Sequence, residues 1–196
     1  FPVYILCGRL MYSFFSSATN GAMKAIRTNS GMIKKVYVPK YIYPLSSVLF
    51  NYIIFAISLI VLVVVSIVLK VYPTVYLLQA IIPLILLLIT AFGVGMILST
   101  MAVFFRDLEY LWSVGLMIIM YASAIFYKPD RLLKSGFGWI LKCNPLYLLI
   151  HNFRQAVFGM PMNLKFLAAS VVFAIVSVIV GLVFFYKKQD EFILHI

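Results

Sequence analysis

From Leu45 to Leu69 the chain carries no charged residue, and Ile, Val, Leu and Phe fill most positions. A helix of about 20 such residues crosses a hydrocarbon core of about 30 Å, so this run alone points to a fold solvated by lipid. Four further apolar stretches accompany it: Phe1 to about Met23, interrupted by Arg9; Val75 to Phe105; Leu111 to Tyr127; and Leu164 to Tyr186. Hydrophobic residues make up 65% of the 196 positions and charged residues 11%. Soluble domains carry about 25% charged residues, and a soluble core of this size could not hide the apolar excess. Backbone groups in lipid must be satisfied within the segment, so the expected fold class is an all-α polytopic membrane protein, one transmembrane domain over residues 1–196.

Sixteen Lys and Arg against five Asp and Glu give a net charge of +11. In a soluble chain that balance suggests nucleic acid. Here the cations sit at the ends of apolar runs, where anionic headgroups can hold them, and no separate basic face interleaves with stacking aromatics. Membrane lipids are the expected partner and nucleic acid is not. Cys7 and Cys143 lie in different segments without a C-x-x-C pattern or a neighbouring His, so no disulfide framework and no metal site is expected.

The chain opens on Phe1-Pro2-Val3-Tyr4 with no basic lead-in, which is not a secretory signal pattern. The expectation is a piece of a longer protein, starting within a membrane segment.

Short tethers, Lys70 to Thr74 and Arg106 to Tyr110, make the runs they join antiparallel neighbours. Val75 to Phe105 has room to tilt or bend, with Pro83 and the Gly93-Val94-Gly95 step as the places for it. Polar residues concentrate in two longer connections, 24–44 and 128–163. The first holds Lys24, Arg27, Lys34, Lys35 and Lys40 and no acid. The positive-inside rule places it in the cytoplasm, with Lys187-Lys188 on the same side and 128–163 outside. The outer assignment is less clean, since Lys128, Arg131, Lys134, Lys142 and Arg154 face only Asp130.

The outer connection is too apolar for a plain loop. Gly136 to Leu141 and Leu146 to Ile150 are each too short to span, and Asn144-Pro145 interrupts them. The pattern predicts two half-helices dipping into the membrane from outside, with Asn144 as N-cap and Pro145 in the first turn of the second. In the inner connection, Asn29-Ser30 offers an N-cap, Met32, Ile33, Val36 and Tyr37 share a helical face, and Pro39 ends the helix. A two-turn helix is too short to stand alone in water, so its apolar face needs a surface. Two surfaces fit: the inner leaflet, with Lys34 and Lys35 on headgroups, or a cytoplasmic protein.

The segment Asn29, Ile33-Lys34-Lys35-Val36-Tyr37-Val38-Pro39-Lys40 and Pro44-Leu45-Ser46-Ser47 resembles the stretch after the second membrane helix of ABC-2 type permeases that export polysaccharides and teichoic acids. The resemblance continues through Leu98-Ser99, Phe104-Phe105-Arg106-Asp107-Leu108-Glu109-Tyr110, Ala124-Ile125-Phe126-Tyr127, Asn144-Pro145-Leu146-Tyr147, Arg154 and Phe158-Gly159. It implies a six-helix permease of the bacterial cytoplasmic membrane, about five of whose helices are present, acting as a homodimer with a separate cytoplasmic ABC ATPase. It further implies a coupling helix at Asn29, Ile33, Lys34, Lys35, Tyr37, Pro39 and Lys40, a second cytoplasmic contact at Arg106 and Asp107, and a re-entrant pair at the outer mouth around Trp139, Asn144, Pro145 and Arg154. ATP and Mg would bind the partner, with no cofactor on this chain. The residues agree on the energy source: no G-x-x-x-x-G-K-[ST] occurs, and no span holds an internal Asp, Glu or His to relay protons.

Arg9 is the one charge well inside a run, where it costs about 2.5–3.5 kcal/mol by insertion scales. It either meets phosphates of a lipid-linked glycan or polyol phosphate cargo, or snorkels to an interface or a carbonyl. Aromatics could line a path for sugar rings or simply face lipid; Tyr121, Phe126 and Tyr127 precede the re-entrant element and are the pathway candidates. Three rivals remain at this point, one of them a passive channel or purely structural membrane protein, which the coupling-helix pattern disfavours. An ABC-2 permease for a drug, peptide or lipid would share fold and energy source. A membrane-embedded enzyme would have to use Asp130, Cys143, His151 and Arg154, which pair no nucleophile with a base at defined spacing.

Overall fold

The computed structural model describes every residue from Phe1 to Ile196. The chain is helical along its length: α1 (Pro2–Thr28), α2 (Ser30–Ile33), α3 (Ile42–Val68), α4 (Ile81–Phe104), α5 (Leu108–Ala122), α6 (Asp130–Lys134), α7 (Gly138–Cys143), α8 (Pro145–Val157), α9 (Leu164–Lys188) and α10 (Phe192–His195). A 3-10 stretch, Val75–Ala80, leads into α4, and another, Gln189–Glu191, joins α9 to α10.

Three helical segments are long and apolar enough to cross a bilayer: Ile42–Val68, Val75–Phe104 and Leu164–His195. The 27 residues of α1 reach about 40 Å at 1.5 Å per residue, equal to α3. Its sequence is less apolar because protein, not lipid, surrounds much of it. It packs on α3 and α4, burying Val3, Cys7, Met11, Phe14, Ala18, Ala22 and Ile26 at the three- and four-residue spacing of one helix face. By contrast, α3 turns Ile53, Ile57, Ile60 and Val64 outward. The 15 residues of α5 span only about 22 Å, less than a hydrocarbon core. Helix geometry ends at Ala122, so the run expected to reach Tyr127 finishes in turns, with Ala124 at φ +49°.

The most extensive helix contact is that of α4 with α9. A β-carbon on Gly181 would lie 2.6 Å from the Gly93 carbonyl oxygen, and one on Gly93 would lie 2.6 Å from the Val178 amide nitrogen. Gly95 faces the other way, where a β-carbon would come within 2.8 Å of Ala22 on α1. The Gly93-Val94-Gly95 step therefore serves close approach of backbones, and α4 runs through it uninterrupted. The irregular geometry sits earlier, in Val75–Ala80, just ahead of Pro83, which has no amide hydrogen for the carbonyl of Gln79.

At one end of the bundle, Ala25, Ile26, Ile33, Tyr43, Met96, Val103, Phe185 and Phe192 form a separate cluster. It gathers the end of α1, the short α2, the start of α3 and the ends of α4 and α9. Lys24, Arg27, Lys34, Lys35, Lys40, Lys187 and Lys188 surround it, and we call it the basic end. At the opposite end, α8 lies across α1, α4, α9 and the 3-10 stretch. Asn144 interrupts the helices there: its Oδ1 accepts from the Leu146 amide at 3.0 Å, and Pro145 occupies the first turn. α8 continues to Val157, with Leu149, Ile150, Phe153 and Ala156 buried, so His151 and Arg154 belong to this helix too.

Candidate functional site

The inner connection is built on the end of α1. Asn29 closes that helix: its amide and its Nδ2 both donate to the Ala25 carbonyl, at 3.2 and 2.8 Å. It does not cap α2, whose start has no side-chain hydrogen bond. α2 is a single turn, prolonged by bonds from Lys35 and Val36 to the Met32 carbonyl. Of the face expected to be apolar, only Ile33 turns into the bundle; Met32 and Val36 are exposed and Tyr37 projects entirely free, at 103% of its reference area. Lys35 and Pro39 are exposed as well. Lys34 and Lys40 are tied, donating to the terminal backbone oxygen of Ile196 (2.7 Å) and to the Gln189 carbonyl (2.5 Å).

Arg106 and Asp107 stand exposed beside this surface without an ion-pair partner. The acid of this segment that pairs is Glu109, which bridges to Arg27 and, at 3.6 Å, to Lys24. This joint fixes the basic end of α5 to α1. Further along, Trp112 Nε1 donates to Thr19 Oγ1 (3.1 Å), and Tyr12 OH donates to the Leu116 carbonyl (2.9 Å). Arg9 Nη1 lies 3.7 Å from Met120 Sδ. Only Leu116 of α5 is buried. The helix hangs on α1 by polar contacts more than by packing, and leaves an open apolar groove of 670 Å³ between itself and α7 to α9.

Arg9 is exposed and belongs to a longer polar face of α1. Ser13 and Ser17 are exposed on the same side, Ser16 and Asn20 half-buried, and Lys24 exposed. That spacing of three and four residues makes a polar strip along the helix whose other side is the centre of the bundle. Tyr121 and Phe126 are exposed beyond it, and the Tyr127 hydroxyl donates to the Tyr121 carbonyl at 2.7 Å.

Arg154 sits at the far end and is only 4% exposed. Its Nε donates to the Tyr4 carbonyl (3.0 Å), Nη1 to Ala124 (3.0 Å) and Nη2 to Ile125 (3.2 Å). A buried cation is costly unless hydrogen-bonded, and the planar fork satisfies itself on three carbonyls from two elements. Arg154 therefore clamps α8 to α1 and to the turn after α5, and is not open to a phosphate. Asn144 adds a second tie, Nδ2 donating to Ser123 Oγ at 2.9 Å. Burial, and then the Arg154 charge, push the His151 imidazole below its ordinary value. Trp139 is exposed on the rim of the groove.

Residues 2–158 match the model of a family described as ABC-2 type transporter. The chain belongs to that family. Among curated relatives, it is 30% identical over 194 residues to an O-antigen export system permease protein, RfbA, of Klebsiella pneumoniae, covering 98% of this chain and 74% of that one. It is 27% identical to RfbA of Myxococcus xanthus, over 81% of this chain and 61% of the relative. It is 25% identical to the polysialic acid transport protein KpsM of Escherichia coli, over 97% and 74%.

This ABC-2 permease is a multi-pass protein of the inner membrane. Its structure brings Ile33 into one cluster with the end of α9, ties Lys34 and Lys40 to the segment after α9, and leaves Lys35, Tyr37, Arg106 and Asp107 on the surface. Two features escaped the reading of its sequence. The Arg9, Ser13, Ser17, Asn20 strip was visible as a helical spacing, but hydroxyls in an apolar run blend with ordinary membrane-helix serines. The Glu109 joint had a local sign, a lone acid against a connection rich in cations, although nothing local named Arg27.

Proposed function

We propose that this chain is the membrane subunit of an ATP-driven exporter, in which two copies pass a lipid-linked polysaccharide outward and a separate cytoplasmic ATPase supplies the energy. The observation that carries the reading is the polar face of α1. Arg9, Ser13, Ser17 and Asn20 turn outward from a single copy in a helix whose other side is the core. At membrane depth such groups need water or a partner. Two copies facing each other across these strips would enclose a wet passage in which hydroxyls exchange hydrogen bonds with sugar hydroxyls without fixed register. Arg9 would meet the phosphates of the lipid link.

The cargo class follows the relatives, which are named for O-antigen and polysialic acid. The exposed cations Lys128, Arg131, Lys134 and Lys142 at the far end would also suit an anionic polymer such as a teichoic acid. The energy would enter at the basic end, through the exposed Lys35, Val36 and Tyr37 and the neighbouring Arg106 and Asp107, with segment 29–40 seated in a cleft of the ATPase. The test is co-reconstitution of the permease with the ATPase that co-purifies with it. ATP-dependent uptake of lipid-linked glycan into inverted vesicles, lost in Ser13→Leu/Ser17→Leu, is the expected result. Uptake without ATPase, or undiminished uptake in the double variant, would overturn it.

A further inference from the structure

The tail that follows α9 meets the inner connection at three places. Lys40 bonds to the Gln189 carbonyl and Lys34 to the terminal backbone oxygen of Ile196, so residues 34–40 run antiparallel to 189–196 with a lysine contact at each end. Between those contacts the Phe192 side chain is fully enclosed, in the cluster that holds Ile26, Ile33 and Tyr43. Its ring centroid lies 5.2 Å from that of Phe185 on α9 and 6.1 Å from that of Phe104, the last residue of α4. The Lys40 ammonium stands 5.8 Å from the centre of the same ring. One aromatic side chain thus touches the connection, α9 and α4 together.

We propose that residues 189–196 are the positioning element that fixes the 29–40 connection to α9, so that displacement of this connection reaches α9 and α4. The proposal rests on the reading of 29–40 as the ATPase contact. A single helical turn followed by extended chain would otherwise absorb a push by bending. With Phe192 seated, the inward face of the connection is held, and its outward face, Lys35 to Tyr37, remains free for the partner. The glycine-mediated approach of α9 to α4 then makes those two helices respond as one body. Phe192, Lys34 and Lys40 act through this contact and touch no cargo.

The test uses the complete permease with its ATPase in vesicles and reads three quantities: ATPase recovered with the permease, ATP hydrolysis rate, and glycan transported per ATP hydrolysed. In Phe192→Ala, recovery and hydrolysis should stay within about twofold of wild type while transport per ATP falls about tenfold, with Phe192→Leu restoring it. Lys40→Met, at the rim of the cluster where folding is least affected, should lower the same ratio about threefold, with Lys40→Arg restoring it. An unchanged ratio in both, or loss of all three quantities in proportion, would overturn the proposal. Failure of the underlying reading looks different: a photocrosslinker at Tyr37 of the wild-type complex would capture no ATPase.

Discussion

The guanidinium of Arg154 lies over the ring of Tyr4, 3.6 Å from its centre, while its Nε bonds the carbonyl of the same residue. One side chain thereby joins α8 to the start of α1, although the two are far apart in sequence. Its other two donors hold the carbonyls of Ala124 and Ile125, and Ala124 is kept at a positive φ that its β-carbon disfavours.

Replacing Arg154 by Met should free that turn and leave buried carbonyls without donors. A loss of about 2–4 kcal/mol is expected from three charge-assisted bonds in a buried site. Arg154→Lys should recover only part of it, since an ammonium cannot fork to two planes. Thermal melting of the detergent-solubilised permease, followed by size exclusion, measures both. Equal midpoints for Met and wild type would contradict the clamp.

Gly181→Ala places a methyl group against the Gly93 carbonyl and forces α9 off α4. The expected cost is about 1–3 kcal/mol, typical of overpacking in a tight contact. Gly31→Ala serves as control, because a β-carbon there meets nothing within 4 Å. The same melting assay should separate the two variants.

Glu109→Gln removes the acid that Arg27 and Lys24 share. All three groups are partly exposed, so the loss of stability should stay below about 1 kcal/mol and shrink in high salt. The larger effect is on α5, whose basic end loses its anchor: amide exchange over residues 108–116 should accelerate while α4 is unaffected.

Tyr37→Ala should leave the melting temperature unchanged, because the ring touches nothing in the permease. If the exposed surface is where the ATPase sits, the variant should recover several-fold less ATPase on co-purification. Truncating one buried aromatic at an interface costs about 2 kcal/mol or more.

The membrane class, the main helical runs and the break at Asn144-Pro145 were legible because each rests on local rules: apolar run length, cap chemistry and proline's missing amide hydrogen. The short inner helix was legible as a place and not as a shape. Its periodicity suggested that Met32, Ile33, Val36 and Tyr37 act together, but docking on Phe192 and Phe185 selects Ile33 alone and turns the rest outward. Arg154 read as an open cation at the outer mouth because its sequence neighbours are polar or aromatic. Its burial depends on the carbonyls of Tyr4, Ala124 and Ile125, which only the folded chain brings together. The end of α5 was overestimated for a similar reason: Ser123 to Tyr127 is apolar enough to continue a helix, and tertiary bonds from Arg154 and Asn144 hold it as a turn.

The polar face of α1 is open to water at membrane depth only if it lines a passage. The direct measurement places one new cysteine at Ser13, Ser17 or, as a lipid-facing control, Ile57, in the assembled transporter with Cys143 replaced by Ser and the buried Cys7 retained, and follows reaction with a water-soluble maleimide. Ser13→Cys and Ser17→Cys should react about tenfold faster or more than Ile57→Cys, because thiolate chemistry requires water that the hydrocarbon core excludes, and bound glycan should slow them. Equal, slow labelling at all three positions would contradict the passage.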